Sequence, residues 1–144
     1  MNSFSITKSG DVIDEQVSKV TGFPKSKIVK RKEKELNLDE FEPSDRVLAA
    51  LSIYYGEYID RITRLIGKEF EKRGSEIQGE TEIVVAGGTS MPTGFCKVFE
   101  NSISESNLPF KIYRVRHSLT PFYSVSQGAC IRAQADFSKL ASAK

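Results

Sequence analysis

Residues 83–95 read IVVAGGTSMPTGF, a run of branched apolar residues that stops at a pair of glycines, followed by two hydroxyl residues and Pro92. Four consecutive apolar residues, Ile83–Ala86, predict a strand covered on both faces, as in a parallel sheet with helices above and below. After the glycines, Phe95, Val98, Phe99 and Ile103 recur at helical spacing, so Gly87 and Gly88 mark a strand-to-helix turn. In an open α/β sheet a ligand binds beyond the carboxyl ends of the strands, which is where this turn lies. Without side chains, the two glycines would let a flat or anionic group rest on the backbone, beside the free N–H groups of a helix start. A tight turn alone has the same requirement, and spacing does not separate the two.

Upstream, Val47, Leu51, Tyr54, Tyr58, Ile62, Leu65, Ile66 and Phe70 fall three or four apart and predict a helix roughly 40 Å long. Ser44 is placed to cap it and Gly74 to stop it. Gly56 and Gly67 lower its helix propensity and predict close approaches to neighbouring elements. Downstream, Phe110–Val115 reads as a second strand. Pro121 then opens a last helix with Val125, Ala129, Ala133 and Phe137 four apart, and Gly128, Ala129 and Ala133 are small enough to let it lie close to a sheet. Helix, strand, helix, strand, helix from residue 44 onward is the alternation of an α/β layered domain. Near the start, Phe4–Lys8 reads as a short strand, and Val12, Ile13, Val17 and Val20 as a helix ended by Gly22 and Pro24.

A chain of 144 residues is long enough for one domain with a real core. Apolar residues make up 39% and charged residues 28%, which separates it from disordered tails, and no apolar stretch approaches the roughly 20 residues of a membrane span. MNSFSITKSGD lacks the basic start and apolar block of a secretory signal, so a cytoplasmic location is expected. A net charge of +2 does not argue for nucleic acid. Six basic residues between Lys25 and Lys34 read as a solvated helix face, since no aromatics are interleaved to stack bases.

Other chemistry-bearing residues read as structural. Asp11 suits a helix N-cap, with Asp14 and Glu15 in the first turn, better than a metal site. His117 stands without a partner for catalysis and reads as a surface or loop residue, and Tyr54, Tyr55 and Tyr58 read as helix packing with hydroxyls at the edge. Cys96 and Cys130, far apart and outside any C-x-x-C, read as buried thiols. The chain contains no G-x-x-x-x-G-K-[ST], no G-x-G-x-x-G and no G-x-S-x-G.

Taken together, IVVAGGTSMPTGF and TPFYSVSQGACIRA resemble the end of the nucleotide-binding lobe of actin-like proteins, heat-shock chaperone ATPases and sugar kinases, nearest to bacterial actin-like (MreB-type) proteins. Gly87, Gly88, Thr89 and Ser90 match the adenosine-binding turn of that superfamily, and Pro121, Val125, Gly128 and Ala129 match its closing helix. SGDVIDEQV is similar to the Gly-Gly-Asp-x-x-Asp segment at the entry to the family's small subdomain, with Ser9 in place of the first glycine. Lys32 stands where the family's Glu-x-x-Lys places its lysine, with Val29 at the glutamate position.

The resemblance implies a ribonuclease H-like, actin-type ATPase lobe over residues 1–144: a sheet with flanking helices as an α/β core over about 44–137, and a small helical subdomain over about 10–43. It implies ATP or ADP with Mg²⁺ as cofactor in an intact two-lobed parent, an N-terminal lobe as partner, and self-association into filaments. Gly87, Gly88, Thr89, Ser90, Met91 and Lys32 would contact the nucleotide. The family's Asp-Gly-rich phosphate loops are not visible, so no catalytic residue is assigned and the chain by itself is expected to be inactive. Filament protein, chaperone and kinase all fit this pattern. The other reading open at this point is a non-catalytic protein–protein interaction module that retains the fold.

Overall fold

The computed structural model describes residue 5 and residues 10–73 and 79–142. Apart from Ser5, the strand expected at Phe4–Lys8 lies outside the described residues, as does the helix stop expected at Gly74. The architecture is mixed α/β, with five helices and a two-stranded parallel sheet among the described residues.

Helix α1 spans Gly10–Thr21 and stops at Gly22, whose φ of +77° suits glycine. Asp11 lies one residue inside the first turn, not at the cap. Helix α2, Lys25–Lys34, begins directly after Pro24. Its basic residues are largely on the solvent side, as expected, but Ile28 is fully buried and anchors the helix to the core.

Helix α3, Arg46–Arg73, is about 42 Å long. Its cap is Asp45, not Ser44: Asp45 Oδ1 accepts the N–H groups of Val47 and Leu48 at 3.0 Å each, while the Ser44 hydroxyl turns to Glu42. Val47, Leu51, Tyr55, Ile59 and Thr63 are buried at a strict interval of four, and Tyr54, Tyr58 and Ile62 flank them. The stripe expected from the sequence was therefore centred one residue away. The helix is buried between α1 on one side and α4 on the other, so both flanks are apolar and their midline is Tyr55. The hydroxyl of Tyr55 does not reach the edge: it is buried with no hydrogen-bond partner, and burial pushes its pKa up. Gly67 does mark a close approach, since a Cβ there would lie 3.2 Å from Leu108 Cδ2. Gly56 does not, having open space around it.

Strand β1, Glu80–Val85, pairs with strand β2, Lys111–His117, in parallel, and helix α4, Phe95–Ser104, is the crossover such pairing needs. Phe95, Phe99 and Ile103 bury one face of α4, as their spacing predicted. Among the described residues the sheet is covered on one face, not on both as the apolar run Ile83–Ala86 predicts. Ile83, Val85, Ile112 and Val115 turn to the core, while Val84, Glu82, Arg114 and Arg116 occupy the other side, where Glu82 pairs with both arginines. Ile13, Val17, Ile28 and Leu36 from the first two helices belong to the same buried cluster as α3 and α4.

Helix α5, Ser124–Ser142, departs most from expectation. Val125, Ala129, Ala133 and Phe137 do not seat it against the sheet; none of residues 124–138 is buried, and Phe137 is 76% exposed. Cys130 is likewise exposed, not buried, and Cys96 is half-buried. Among the described residues, no helix is long and apolar enough to cross a membrane.

Two outcomes follow from this packing. Ile59→Ala lowers the unfolding free energy by about 2–5 kcal/mol, whereas Phe137→Ala changes it by less than about 0.5 kcal/mol; equal losses in urea melts would put α5 in the core. The second concerns Asp45, which the Arg31 guanidinium, helped by the Leu48 N–H, holds down at about 2 against an ordinary 3.8. A carboxylate with a depressed folded pKa stabilises above its unfolded value and loses that contribution as pH falls through the folded one. The stability difference between wild type and Asp45→Asn should therefore be full above about pH 4 and close as the pH falls toward 2. A difference independent of pH would show that the pair contributes nothing as a charge.

Candidate functional site

Parallel pairing brings the carboxyl ends of β1 and β2 to the same edge, with Val85 opposite His117. The loops that leave them are tied by main-chain hydrogen bonds: Ser118 N–H donates to the Val85 carbonyl and Gly87 N–H to the Pro121 carbonyl, both at 2.9 Å. Gly87 has φ +95° and ψ 161°, a conformation that side chains disfavour, so the backbone itself demands glycine there. Gly88 differs. It has no positive φ, and an added Cβ would make only an ordinary contact, 3.7 Å from Phe122 Cε1. Nothing in the protein's own packing requires residue 88 to be bare.

A single 3₁₀ turn, Gly88–Ser90, follows. The buried Ser90 donates both its N–H (3.1 Å) and its hydroxyl (2.9 Å) to the Gly87 carbonyl. Its own carbonyl accepts from His117 Nε2 at 2.6 Å. A carbonyl can only accept, so Nε2 carries the hydrogen, and in the neutral ring Nδ1 faces Cys96 Sγ at 3.5 Å as an acceptor. Burial, then the charge of Glu100, pushes the Cys96 thiol up, which keeps it a donor. His117 is thus a brace between β2 and the turn, not a loop or surface residue. On the other side, Gly10 presses against the turn: a Cβ there would sit 2.3 Å from Thr89 Oγ1.

Around this corner lies an open cavity of about 880 Å³. The turn contributes Gly88, Thr89 and Met91, the loop after β2 contributes Phe122, and α1 and α2 supply Asp14 and Lys32. Four of the six residues predicted from sequence, Gly88, Thr89, Met91 and Lys32, are therefore walls of one cavity. Gly87 shapes the turn without lining the cavity, and Ser90 faces inward to hold it.

Lys32 does not enter as a free cation. Its ammonium lies 2.7 and 2.6 Å from the two oxygens of Asp14, which is only 2% exposed. This pairing also replaces the helix-dipole role expected for Asp14. Ile13 and Ile28 place the two helices so that these side chains meet, eighteen positions apart in sequence, and no local pattern announces it. Phe122 was missed as well, although the rule that led to Gly87 and Gly88 applies equally to the loop after β2.

Chemically, the cavity joins bare backbone, a thioether and an aromatic ring on one wall to a buried ion pair on another, the mixed lining that suits a flat ligand with polar edges. It does not suit a cation. Both oxygens of Asp14 are taken by Lys32, and Asp11, which also lines the cavity, is 81% exposed and lies 4.0 Å from the Lys25 ammonium. Among the described residues, no group of three or more His, Cys, Asp or Glu is arranged around a metal position, so the residues around this cavity do not fit Mg²⁺.

Removing one member of the buried pair leaves the other charge uncompensated. Asp14→Ala should cost about 3 kcal/mol, and Asp14→Leu combined with Lys32→Met should recover most of it. Denaturant midpoints of the three variants test this; an unchanged midpoint for Asp14→Ala would mean that the ammonium is satisfied without the carboxylate.

Among curated proteins, none matches this chain. The family model described as Volactin matches residues 1–133, which is nearly its whole length. The chain belongs to the Volactin family.

Proposed function

We propose that this chain is the nucleotide-binding lobe of an actin-type ATPase and that its cavity seats the adenosine of ATP or ADP. The observation that carries the reading is Gly88: the fold tolerates a side chain there, yet the position is bare and forms a wall of the cavity at the carboxyl end of a parallel strand. Met91 and Thr89 also line it, as does Lys32, whose ammonium is held by Asp14. The chain binds the nucleoside and does not hydrolyse the phosphate chain, because the carboxylate-bearing phosphate loops on which such transfer depends are not found in these 144 residues. In the intact parent, nucleotide state would set lobe closure and filament assembly.

The second reading, an interaction module, draws on helix α5 and the loop that leads into it. Leu119, Phe122, Tyr123, Val125, Ile131 and Phe137 are all at least 66% exposed, a larger apolar display than scattered surface residues make.

Titration of the isotope-labelled chain with ATP, followed by amide NMR, separates the two readings. Millimolar ATP is expected to shift the amides of Gly88, Thr89 and Met91 first, and Gly88→Leu should weaken binding at least tenfold with an unchanged melting temperature, about 1.4 kcal/mol of lost affinity. Shifts confined to α5, or none at all, would sink the nucleotide reading. An ATPase rate near that of an intact two-lobed enzyme would contradict the assignment of binding alone.

A further inference from the structure

The cavity has one aromatic wall among the described residues, and its placement is unusual. Phe122 is 66% exposed, yet its backbone is held from both sides. On one side the preceding carbonyl, that of Pro121, accepts Gly87 N–H. On the other, the N–H groups of Tyr123 and Ser124 both donate to the Thr120 carbonyl at 2.9 Å, and Ser118 and Ser124 join their hydroxyls at 2.6 Å. A ring so exposed on a backbone so constrained is a surface already in position. Its edge stands 3.7 Å from where a Gly88 side chain would begin, so the ring and the bare peptide border the same space. Its neighbour Tyr123 is equally exposed but does not line the cavity.

Resting on the nucleotide reading above, we infer that Phe122 is the platform on which the base stacks, and that the site recognises its ligand chiefly by an aromatic face. The remaining walls favour this. Of the charged side chains that line the cavity, Asp14 and Lys32 already satisfy each other, and the other three, Asp11, Glu33 and Lys34, are two acids and one base, so the lining carries no net positive charge to draw a phosphate chain. The ring and Met91 bury apolar surface only when a flat group arrives. Base–aromatic stacking is worth enough to change affinity about tenfold on removal of the ring. Ligands of this class carry a purine or similar heteroaromatic ring; a phosphate chain without a base is not one.

The chain contains no tryptophan, so Phe122→Trp introduces a single indole reporter. ATP and adenosine should quench that indole with the same midpoint as the amide shifts of Thr89, while tripolyphosphate at equal concentration leaves it unchanged. Tyr123→Trp, a ring outside the cavity, should stay unquenched. Calorimetric titration should show Kd raised about tenfold in Phe122→Ala and nearly preserved in Phe122→Tyr, with circular dichroism melts of all variants superimposable on wild type. Undiminished ATP binding by Phe122→Ala, or an unquenched indole in Phe122→Trp at saturating ATP, would overturn the stacking inference and leave the nucleotide reading standing. If the wild-type chain shows no ATP or adenosine binding by either calorimetry or NMR, the nucleotide reading falls and the inference with it.

Discussion

Because β1 and β2 run parallel, both of their outgoing loops emerge at one edge of the sheet, and the bond from Gly87 N–H to the Pro121 carbonyl locks them together. Antiparallel strands would have sent the two loops to opposite ends, and no shared corner would exist. The crossover helix α4 makes the parallel arrangement achievable, since Phe95, Phe99 and Ile103 hold it against α3 and Val115. Every feature of the candidate site depends on that arrangement: the strained turn at Gly87, the bare peptide at Gly88 and the ring of Phe122 beside it.

The second constraint is the contact between α1 and the turn. Gly10 allows the first residue of α1 to reach Thr89, and Asp14, one turn later, meets Lys32 from α2. Leu38 N–H donates to the Thr93 carbonyl at 2.8 Å, and Gly94, at φ +82°, passes close to the Asp39 backbone. The segment from Gly10 to Asp39 is therefore sewn to the strand–turn–helix unit at two places. These attachments are polar and local, while Ile13, Val17 and Ile28 carry the apolar share of the packing. A buried ion pair on such a junction adds little stability compared with an apolar isostere, although it does join α1 to α2 beside the cavity.

Much of the fold was legible in the residues. The apolar run before Gly87, the helical spacing after it, the second strand and the long α3 all stand where their patterns put them, because each rests on a period that local sequence records directly. Boundaries and faces were less legible. Asp45 displaced Ser44 as the cap of α3 since it also gains Arg31, a partner fourteen residues away. Tyr55 displaced Tyr54 and Tyr58 as the buried centre because two helices, not one, cover α3. Helix α5 carries a plausible apolar interval, yet an interval says nothing about whether a neighbour is there to bury it.

The candidate site divides in the same way. By itself the sequence determined that a glycine pair ends a strand ahead of a helix, and that small and hydroxyl residues follow, since these are properties of neighbouring positions; that the pair opens a 3₁₀ turn, with the helix starting only at Phe95, was left to the structure. Tertiary structure alone decided which glycine the backbone needs and which it leaves bare. It also decided that Lys32 arrives paired with Asp14 and that Phe122 stands beside Gly88. Those relations join residues 18 to 34 positions apart, and distances of that kind are set by how helices and strands pack, which no local spacing encodes.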